Sequence, residues 1–168
     1  RRPFRSMKNI FVLSALGFSC GLPYMLVFST LSAWLRDAGA ALTVIGFISW
    51  AALTYSLKFL WSPFVDRIKM PLNQVVGQRR SWILMMQLLI LILIMMMSQF
   101  DPISSLNFIV ITAVLIAFFG SLQDIAVDAY RIELVSLDEQ GNLAASYQFG
   151  YRLSILVATS LALIFADF

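Results

Sequence analysis

The sequence predicts an all-α membrane protein, a polytopic helical bundle with about five transmembrane helices of roughly 20 to 25 residues each. Hydrophobic residues make up 60% of the 168 residues and charged residues only 12%, and the mean hydropathy is +0.85. These values lie far outside the balance of a soluble domain. In addition, short polar segments separate the apolar runs, and basic residues concentrate in alternate segments.

The composition also excludes several classes of function. The sequence has no histidine and one cysteine, Cys20, which excludes imidazole metal sites, histidine proton relays, an intrachain disulfide and a cysteine-rich zinc site. The basic residues lie between the predicted spans and not on one continuous face, which argues against nucleic-acid binding. No phosphate-binding glycine loop, nucleophile elbow or metalloprotease helix is present. We therefore expect no metal, no cofactor and no enzyme activity.

The first predicted span covers residues 9–35. Four basic residues and no acid precede it, so the positive-inside rule places the amino end in the cytoplasm. Gly21 and Pro23 lie in its middle, and because Pro23 lacks a backbone donor we expect a kink or a short unwound section there. Breaks of this kind line the substrate site of many transporters, but they also serve helix packing, and the sequence leaves both interpretations open.

The second predicted span, residues 43–65, returns the chain to the cytoplasm. Lys58 lies five residues before Pro63, near the end of this span, so its long side chain can reach the membrane surface. We prefer this snorkelling position to a lysine that faces an internal cavity. The loop that follows, residues 66–80, holds four basic residues and is predicted to be cytoplasmic.

The third predicted span, residues 81–100, carries no charge, and its Gln87 is expected to reach a neighbouring helix. A turn without Lys or Arg follows, as expected for a segment outside the cytoplasm. The fourth predicted span, residues 106–130, leads into the most informative stretch of the sequence. This stretch, residues 123–133, carries one amide and four charged side chains: Gln123, Asp124, Asp128, Arg131 and Glu133.

The charges at the end of the fourth span predict a polar pathway. At about 100° per residue, Asp124, Asp128 and Arg131 fall on one stripe of a helix, while Glu133 points to the other side. An ionised side chain in hydrocarbon costs roughly 3 kcal/mol or more, so the stripe should face other helices or a water-filled cavity. Asp124 is the best candidate for a proton site, because Asp128 and Arg131 lie nearer to water. A permanently ionised, structural Asp124 is the alternative.

The fifth predicted span, residues 143–167, places Gln148 and Arg152 one turn apart on one face, beside Tyr151. Arg152 lies roughly 15 Å along the helix, close to mid-membrane. Because an unpaired guanidinium is costly at that depth, we predict an ion pair with a carboxylate of the fourth span. Asp124 is the first choice and Asp128 the second. The pair could belong to the transport pathway or be purely structural.

Four motifs stand out in these spans: GFSCGLP at residues 17–23, TLSAWL at 30–35, KFLWSPFVDR at 58–67 and QDIAVDAYR at 123–131. Together they resemble the AmpG-type muropeptide permeases of the major facilitator superfamily, to which the acetyl-coenzyme A transporters are similar. The resemblance implies a proton-driven permease that carries anhydro-muropeptides across the bacterial inner membrane, in cell-wall recycling. Its partners would be the lipid bilayer, a small-molecule solute and protons.

The resemblance also implies twelve or more spans arranged as repeats. Residues 1–168 are therefore expected to be the N-terminal fragment of a transporter whose C-terminal half is missing. In the superfamily, the loop between the second and third spans carries a latch motif, Asp-Arg followed closely by Gly-Arg-Arg. Asp66, Arg67, Gly77, Arg79 and Arg80 match its residue types, but nine residues separate its two parts here and the leading glycine is absent.

Two alternatives to this function remain. The first is a transporter of another solute, such as an acyl-coenzyme A or a small metabolite. The second is a non-transporting membrane protein, either an intramembrane enzyme or a helical assembly partner. We rank it lower, because Asp124 and Asp128, one turn apart on a single helix, are a poor aspartyl dyad: two such carboxylates must share a proton at close range.

Overall fold

The computed structural model describes residues 2–101, 103–135 and 137–166. It is 88% helical, and no strand occurs among the residues described, which confirms the predicted all-α class. In chain order the α-helices are α1 (Arg2–Met25), α2 (Leu31–Asp37), α3 (Leu42–Ser56), α4 (Lys58–Arg67), α5 (Asn73–Val76), α6 (Gln78–Met97), α7 (Leu106–Leu134) and α8 (Gln140–Ala166). A short 3₁₀ helix, Leu137–Glu139, precedes α8.

The described residues contain three helices that are long and apolar enough to cross a membrane. They are the stretch Met7–Asp37, α6 and α7, and the pair of α3 and α4 adds a fourth crossing if the two helices form one bent span. α8 occupies the fifth predicted span and is 27 residues long. The protein is therefore a helical membrane protein, and its total of five crossings stays a prediction.

The first helix does not unwind at Pro23. α1 runs through this residue and continues into α2 by a π-helical segment, Leu26–Thr30, where the amide of Leu31 donates to the carbonyl of Leu26. Pro23 removes one backbone hydrogen bond from the helix, and the irregularity that follows takes the form of a wider turn. The expected unwound section is thus a π-helical segment within a continuous helix.

The second predicted span is two helices and not one. α3 and α4 meet at an angle of 54°, and Leu57 between them has φ −92° and ψ 12°, outside the α region. Pro63 cannot donate to the carbonyl of Phe59, which weakens the turn that follows the break. The bend lets α4 pack against α7 and places Lys58, its first residue, at that contact.

α7 is the central helix of the bundle. It contacts α1, α3, α4, α6 and α8, and its buried side includes the small residues Ala113, Ala117, Gly120 and Ser121. Small side chains let the backbones of membrane helices approach closely, and packing of this kind holds helices together where lipid is the solvent. The charges near the end of α7 therefore lie against protein on several sides.

Small residues also join α1 to α8. A Cβ atom at Gly17 would overlap the backbone carbonyl of Tyr147, and one at Gly150 would overlap that of Ser14. The Ser14 hydroxyl donates to the carbonyl of Ser146 at 3.1 Å. This close approach fixes the rotation of α8 and turns Tyr147 toward the interior, where it is only 8% exposed.

Candidate functional site

Lys58 lies between the two aspartates of the predicted stripe. Its Nζ is 2.6 Å from Oδ2 of Asp124 and 3.2 Å from Oδ2 of Asp128. The two carboxylates are one turn apart on α7 and so face the same side of the helix. The predicted snorkelling of Lys58 is therefore wrong. The bend between α3 and α4 brings the ammonium to two carboxylates, whose charge it balances inside the bundle.

Two further side chains complete this group. The hydroxyl of Tyr147, on α8, donates to Oδ1 of Asp124 at 2.5 Å. Arg131 lies 3.5 Å from Oδ1 of Asp128, and its guanidinium carbon is 5.9 Å from the centre of the Tyr147 ring. Two positive and two negative side chains are thus combined, which limits the cost of holding charge in apolar surroundings. We refer to the following five residues as the charged cluster: Lys58, Asp124, Asp128, Arg131 and Tyr147.

The members of the charged cluster differ in their exposure. The side chain of Asp124 is 17% exposed and that of Arg131 is 26% exposed, whereas Asp128 and Lys58 are 35% and 39% exposed. Asp124 is therefore the most enclosed of the four charges. Lys58 and Asp128 are the most open to an ion or a solute that approaches the cluster.

Gln123, predicted to line the pathway, is buried instead. Its side chain is 1% exposed, and its Nε2 donates to the hydroxyl of Ser19 at 3.2 Å and lies 3.4 Å from the sulfur of Cys20. Gln87 of α6 donates to the same Ser19 hydroxyl at 2.8 Å, which confirms that it reaches a neighbouring helix. Gln123 thus joins α7 to α1 and leaves almost no surface for a solute.

Tyr151 belongs to an aromatic group beside the charged cluster. The ring of Tyr24 lies 4.7 Å from Phe28, 5.3 Å from Tyr55 and 6.4 Å from Tyr151, measured between ring centres. The hydroxyl of Tyr55 is buried without a hydrogen-bond partner among the described residues and lies against Gly120. Sequence reasoning missed these partners of Tyr151, because aromatic side chains are common throughout the predicted spans.

Gly21 and Pro23 lie on the buried side of α1. A Cβ atom at Gly21 would overlap the hydroxyl of Ser154 on α8. Both residues therefore contact other helices, and this position favours the packing interpretation over a break that lines a substrate site.

The ion pair predicted for Arg152 does not form. Arg152 lies on the exposed side of α8 together with Gln148, and within residues 2–101, 103–135 and 137–166 it makes no ion pair. Because Tyr147 faces Asp124, a residue five positions later points about 140° away on the helix. Lys58 supplies the positive charge that was expected from Arg152.

Three residues of the predicted latch, Asp66, Arg79 and Arg80, belong to a second polar group, at the ends of α4, α6 and α7. Arg79 bridges two helices: its Nη1 is 2.5 Å from Oδ1 of Asp66, and its Nε is 2.9 Å from Oε1 of Glu133. Arg80 donates to the hydroxyl of Tyr130 at 3.2 Å. Glu133 and Tyr130 are partners that the sequence did not indicate, although the outward direction of Glu133 was predicted from its position on the helix.

Gly77 and Arg67, the other two latch residues, differ in their surroundings. Gly77 has a φ of 89° directly before α6, a conformation that favours glycine, and its carbonyl accepts a hydrogen bond from the hydroxyl of Ser81 at 2.8 Å. Arg67 is exposed, and the structure shows no ion pair between it and another described residue. The residue types of the latch motif are thus present, but of its five residues only Asp66, Arg79 and Arg80 contact the polar group.

Comparison with known proteins identifies the family. The family model described as acetyl-coenzyme A transporter 1 matches residues 9–167. The anhydromuropeptide permease of Escherichia coli K12 is 41% identical over 156 residues, which are 93% of this chain and 31% of the relative. AmpG 4 of Rickettsia felis is 37% identical over 159 residues, which are 95% of this chain and 38% of the relative.

The chain therefore spans about a third of the length of these curated relatives, 31% of one and 38% of the other. The match covers all the helices of the charged cluster, α4, α7 and α8. It confirms the resemblance to AmpG-type permeases that the motifs indicated. The chain belongs to the acetyl-coenzyme A transporter family and is similar to the AmpG-named permeases.

Proposed function

We propose that the chain is the N-terminal part of a secondary active transporter of the bacterial inner membrane that imports anhydro-muropeptides together with protons. The name of the Escherichia coli relative supports the solute. The charged cluster supports proton coupling, because it places an enclosed carboxylate, Asp124, against the ammonium of Lys58. The basic residues before residue 9 and in the loop at 66–80 support a cytoplasmic position for both segments.

The observation that carries this proposal is the contact of Lys58 with Asp124 and Asp128. Protonation of Asp124 would remove one of two negative charges beside the ammonium, which would then pair with Asp128 alone. This change of the partner of Lys58 would couple the binding of a proton to the contact between α4 and α7. In transporters built from repeats, rocking of one half of the protein against the other exposes a midplane site to each side in turn.

A second candidate solute is acetyl-coenzyme A. The description of the family model that matches residues 9–167 names this solute. The competing class, a non-transporting membrane protein, draws no support from the Escherichia coli and Rickettsia felis relatives, which carry the names of a permease and a transporter.

The first prediction concerns Asp124→Asn in the full-length protein, reconstituted in vesicles. We expect this variant to lose uptake driven by a pH gradient and to keep exchange of labelled for unlabelled anhydro-muropeptide, because exchange needs no net proton movement. Uptake and exchange of acetyl-coenzyme A, measured in the same vesicles, decide between the two solutes.

The matched control is Asp37→Asn, which removes an exposed carboxylate at the end of α2. It should leave both activities unchanged. Full accumulation by Asp124→Asn would contradict the coupling role. Loss of both activities together with poor expression would indicate that Asp124 is a structural partner.

A further inference from the structure

Asp128 lies between two cations. Its Oδ2 is 3.2 Å from the ammonium of Lys58, and its Oδ1 is 3.5 Å from the guanidinium of Arg131. The carboxylate therefore bridges α4 and the end of α7 through both of its oxygens. Two cations that contact the two oxygens of one carboxylate form an arrangement that can bind another anion, since carboxylate and phosphate groups accept the same charge-assisted hydrogen bonds.

The two aspartates of the charged cluster are held differently. Asp124 accepts a hydrogen bond from Tyr147 in addition to its contact with Lys58, and its side chain is 17% exposed. Asp128 has no corresponding tyrosine bond in the described part of the chain, and it is 35% exposed. Asp128 can therefore turn toward water at a lower cost than Asp124. Its departure leaves Arg131 without a carboxylate partner among the described residues and leaves Lys58 paired with Asp124 alone.

We propose that Lys58 and Arg131 form an anion-binding pair for the transported solute, and that the carboxylate of Asp128 occupies this pair while no solute is bound. This inference rests on the proposed function and defines the solute as an anion that presents a carboxylate or a phosphate group. The peptide part of a muropeptide ends in a carboxylate, and coenzyme A carries phosphates, so both candidate solutes have a suitable group. Asp128 then acts as an internal competitor of the solute.

The competition gives an unusual expectation for Asp128→Asn. A residue that only stabilises the fold, or that contacts the solute directly, weakens binding when it is replaced. Removal of an internal competitor has the opposite effect, because the neutral amide holds the two cations less strongly. We expect the affinity for the solute to rise about two- to fivefold, as follows from the loss of one partly exposed ion pair.

The test measures binding of radiolabelled anhydro-muropeptide and of radiolabelled acetyl-coenzyme A to the purified full-length protein at one fixed pH. Asp128→Asn should bind the preferred probe more tightly. Lys58→Met and Arg131→Met should each bind it about tenfold more weakly or worse, because each loses a charge-assisted hydrogen bond, while Lys58→Arg keeps most of the affinity. A muropeptide whose carboxylates are converted to amides should bind equally to the wild type and to Lys58→Met.

Lys69→Met serves as the matched control, since Lys69 is exposed in the loop after α4, and it should bind like the wild type. The preferred probe shows whether a carboxylate or a phosphate is recognised. If Lys58→Met proves unstable, the double variant Lys58→Met/Asp128→Asn replaces it, because it removes one charge of each sign. This double variant should bind the probe more weakly than Asp128→Asn alone.

Weaker or unchanged binding by Asp128→Asn, with a wild type that binds normally, would overturn the anion-pair proposal and leave the proposed function intact. The anion-pair proposal would also be overturned if Lys58→Met bound the native and the amidated muropeptide with equally reduced affinity. A wild-type protein that binds neither probe would overturn the proposed function, and this inference with it.

Discussion

Lys58 shows how one side chain can make a charged group stable in a membrane protein. An isolated aspartate or lysine in the hydrocarbon core of a membrane costs several kcal/mol. Here a single ammonium contacts two carboxylates, and a guanidinium contacts one of them. Each ion therefore has an opposite charge within 3.5 Å. Such a group is sensitive to the substitution of Lys58, because its removal leaves the enclosed Asp124 without a positive partner among the described residues.

At the residue scale, the second prediction is that Tyr147→Phe destabilises the full-length protein by about 1.5 to 3 kcal/mol, as expected for a hydrogen bond to a charged group. The substitution removes the hydroxyl that donates to Asp124 and leaves the ring in place. Thermal unfolding in detergent micelles measures the loss.

Tyr55→Phe is the matched control for that substitution. The Tyr55 hydroxyl is also buried, but it has no hydrogen-bond partner among the described residues, so its removal should change the free energy of unfolding little or even raise it. Equal destabilisation by the two variants would show that the bond from Tyr147 to Asp124 does not contribute.

At the scale of the elements, two irregular helices adjoin the charged cluster. The first helix widens into a π-helical segment at Leu26–Thr30, and the second predicted span breaks at Leu57 with a bend of 54°. The aromatic rings of Tyr24, Phe28 and Tyr55 join these two places. By contrast, α7 is one unbroken helix, so Asp124 and Asp128 keep a fixed spacing, while their shared partner Lys58 lies directly after the break at Leu57.

The third prediction concerns the contact between α1 and α8. Gly150→Ala would place a Cβ atom onto the backbone carbonyl of Ser14, and backbone cannot move aside as the end of a flexible side chain can. We expect α8 to shift, the bond from Tyr147 to Asp124 to weaken and the yield of monodisperse full-length protein to fall severalfold, as measured by size-exclusion chromatography.

Gly141→Ala tests the same change on the same helix. A Cβ atom at Gly141 meets no other atom within 4 Å, and alanine favours a helix over glycine by up to about 1 kcal/mol. This variant should therefore be as stable as the wild type or more stable. A normal yield of Gly150→Ala would contradict the close packing of α1 and α8.

At the scale of the whole molecule, apolar run length and hydropathy predicted the helical class, because the length of a span is set by the bilayer. They indicated one helix at residues 43–65, where the structure has α3 and α4. Helical spacing also predicted that Asp124 and Asp128 share a face and that Glu133 points away, since the period of an α-helix fixes directions within one helix. The structure agrees with those directions, because Asp124 contacts Lys58 and Glu133 contacts Arg79.

The partners across helices could not be predicted in this way. Periodicity gives the face on which Arg152 lies but not the rotation of its helix, which depends on close packing at Gly17 and Gly150. The break at Leu57 has no glycine or proline at the position itself, so the sequence indicated a single span. The position of Lys58 near the end of that span then indicated a snorkelling residue. The unpredicted bend thus changed the partner of Lys58, and the rotation of α8 turned Arg152 away from the carboxylates of α7.

The last prediction concerns the orientation of the whole bundle. α6 is 20 residues long, which corresponds to about 30 Å, the thickness of the hydrocarbon core, so the loop that contains α5 and the turn at residues 98–105 should lie on opposite sides of the membrane. Gln74→Cys and Ser104→Cys place a thiol at an exposed position in each segment. In intact cells an impermeant thiol reagent should label Ser104→Cys, whereas Gln74→Cys should react only after the membrane is opened.

The four basic residues of the loop at 66–80 are the physical reason for this orientation, because basic loops are retained in the cytoplasm. Cys20 is only 4% exposed, so the unmodified protein should give little signal, and Cys20→Ser in each variant removes what remains. Labelling of Gln74→Cys from outside intact cells would show that the orientation is the opposite of the one predicted. Arg79 and its partners Asp66 and Glu133 would then lie outside the cytoplasm.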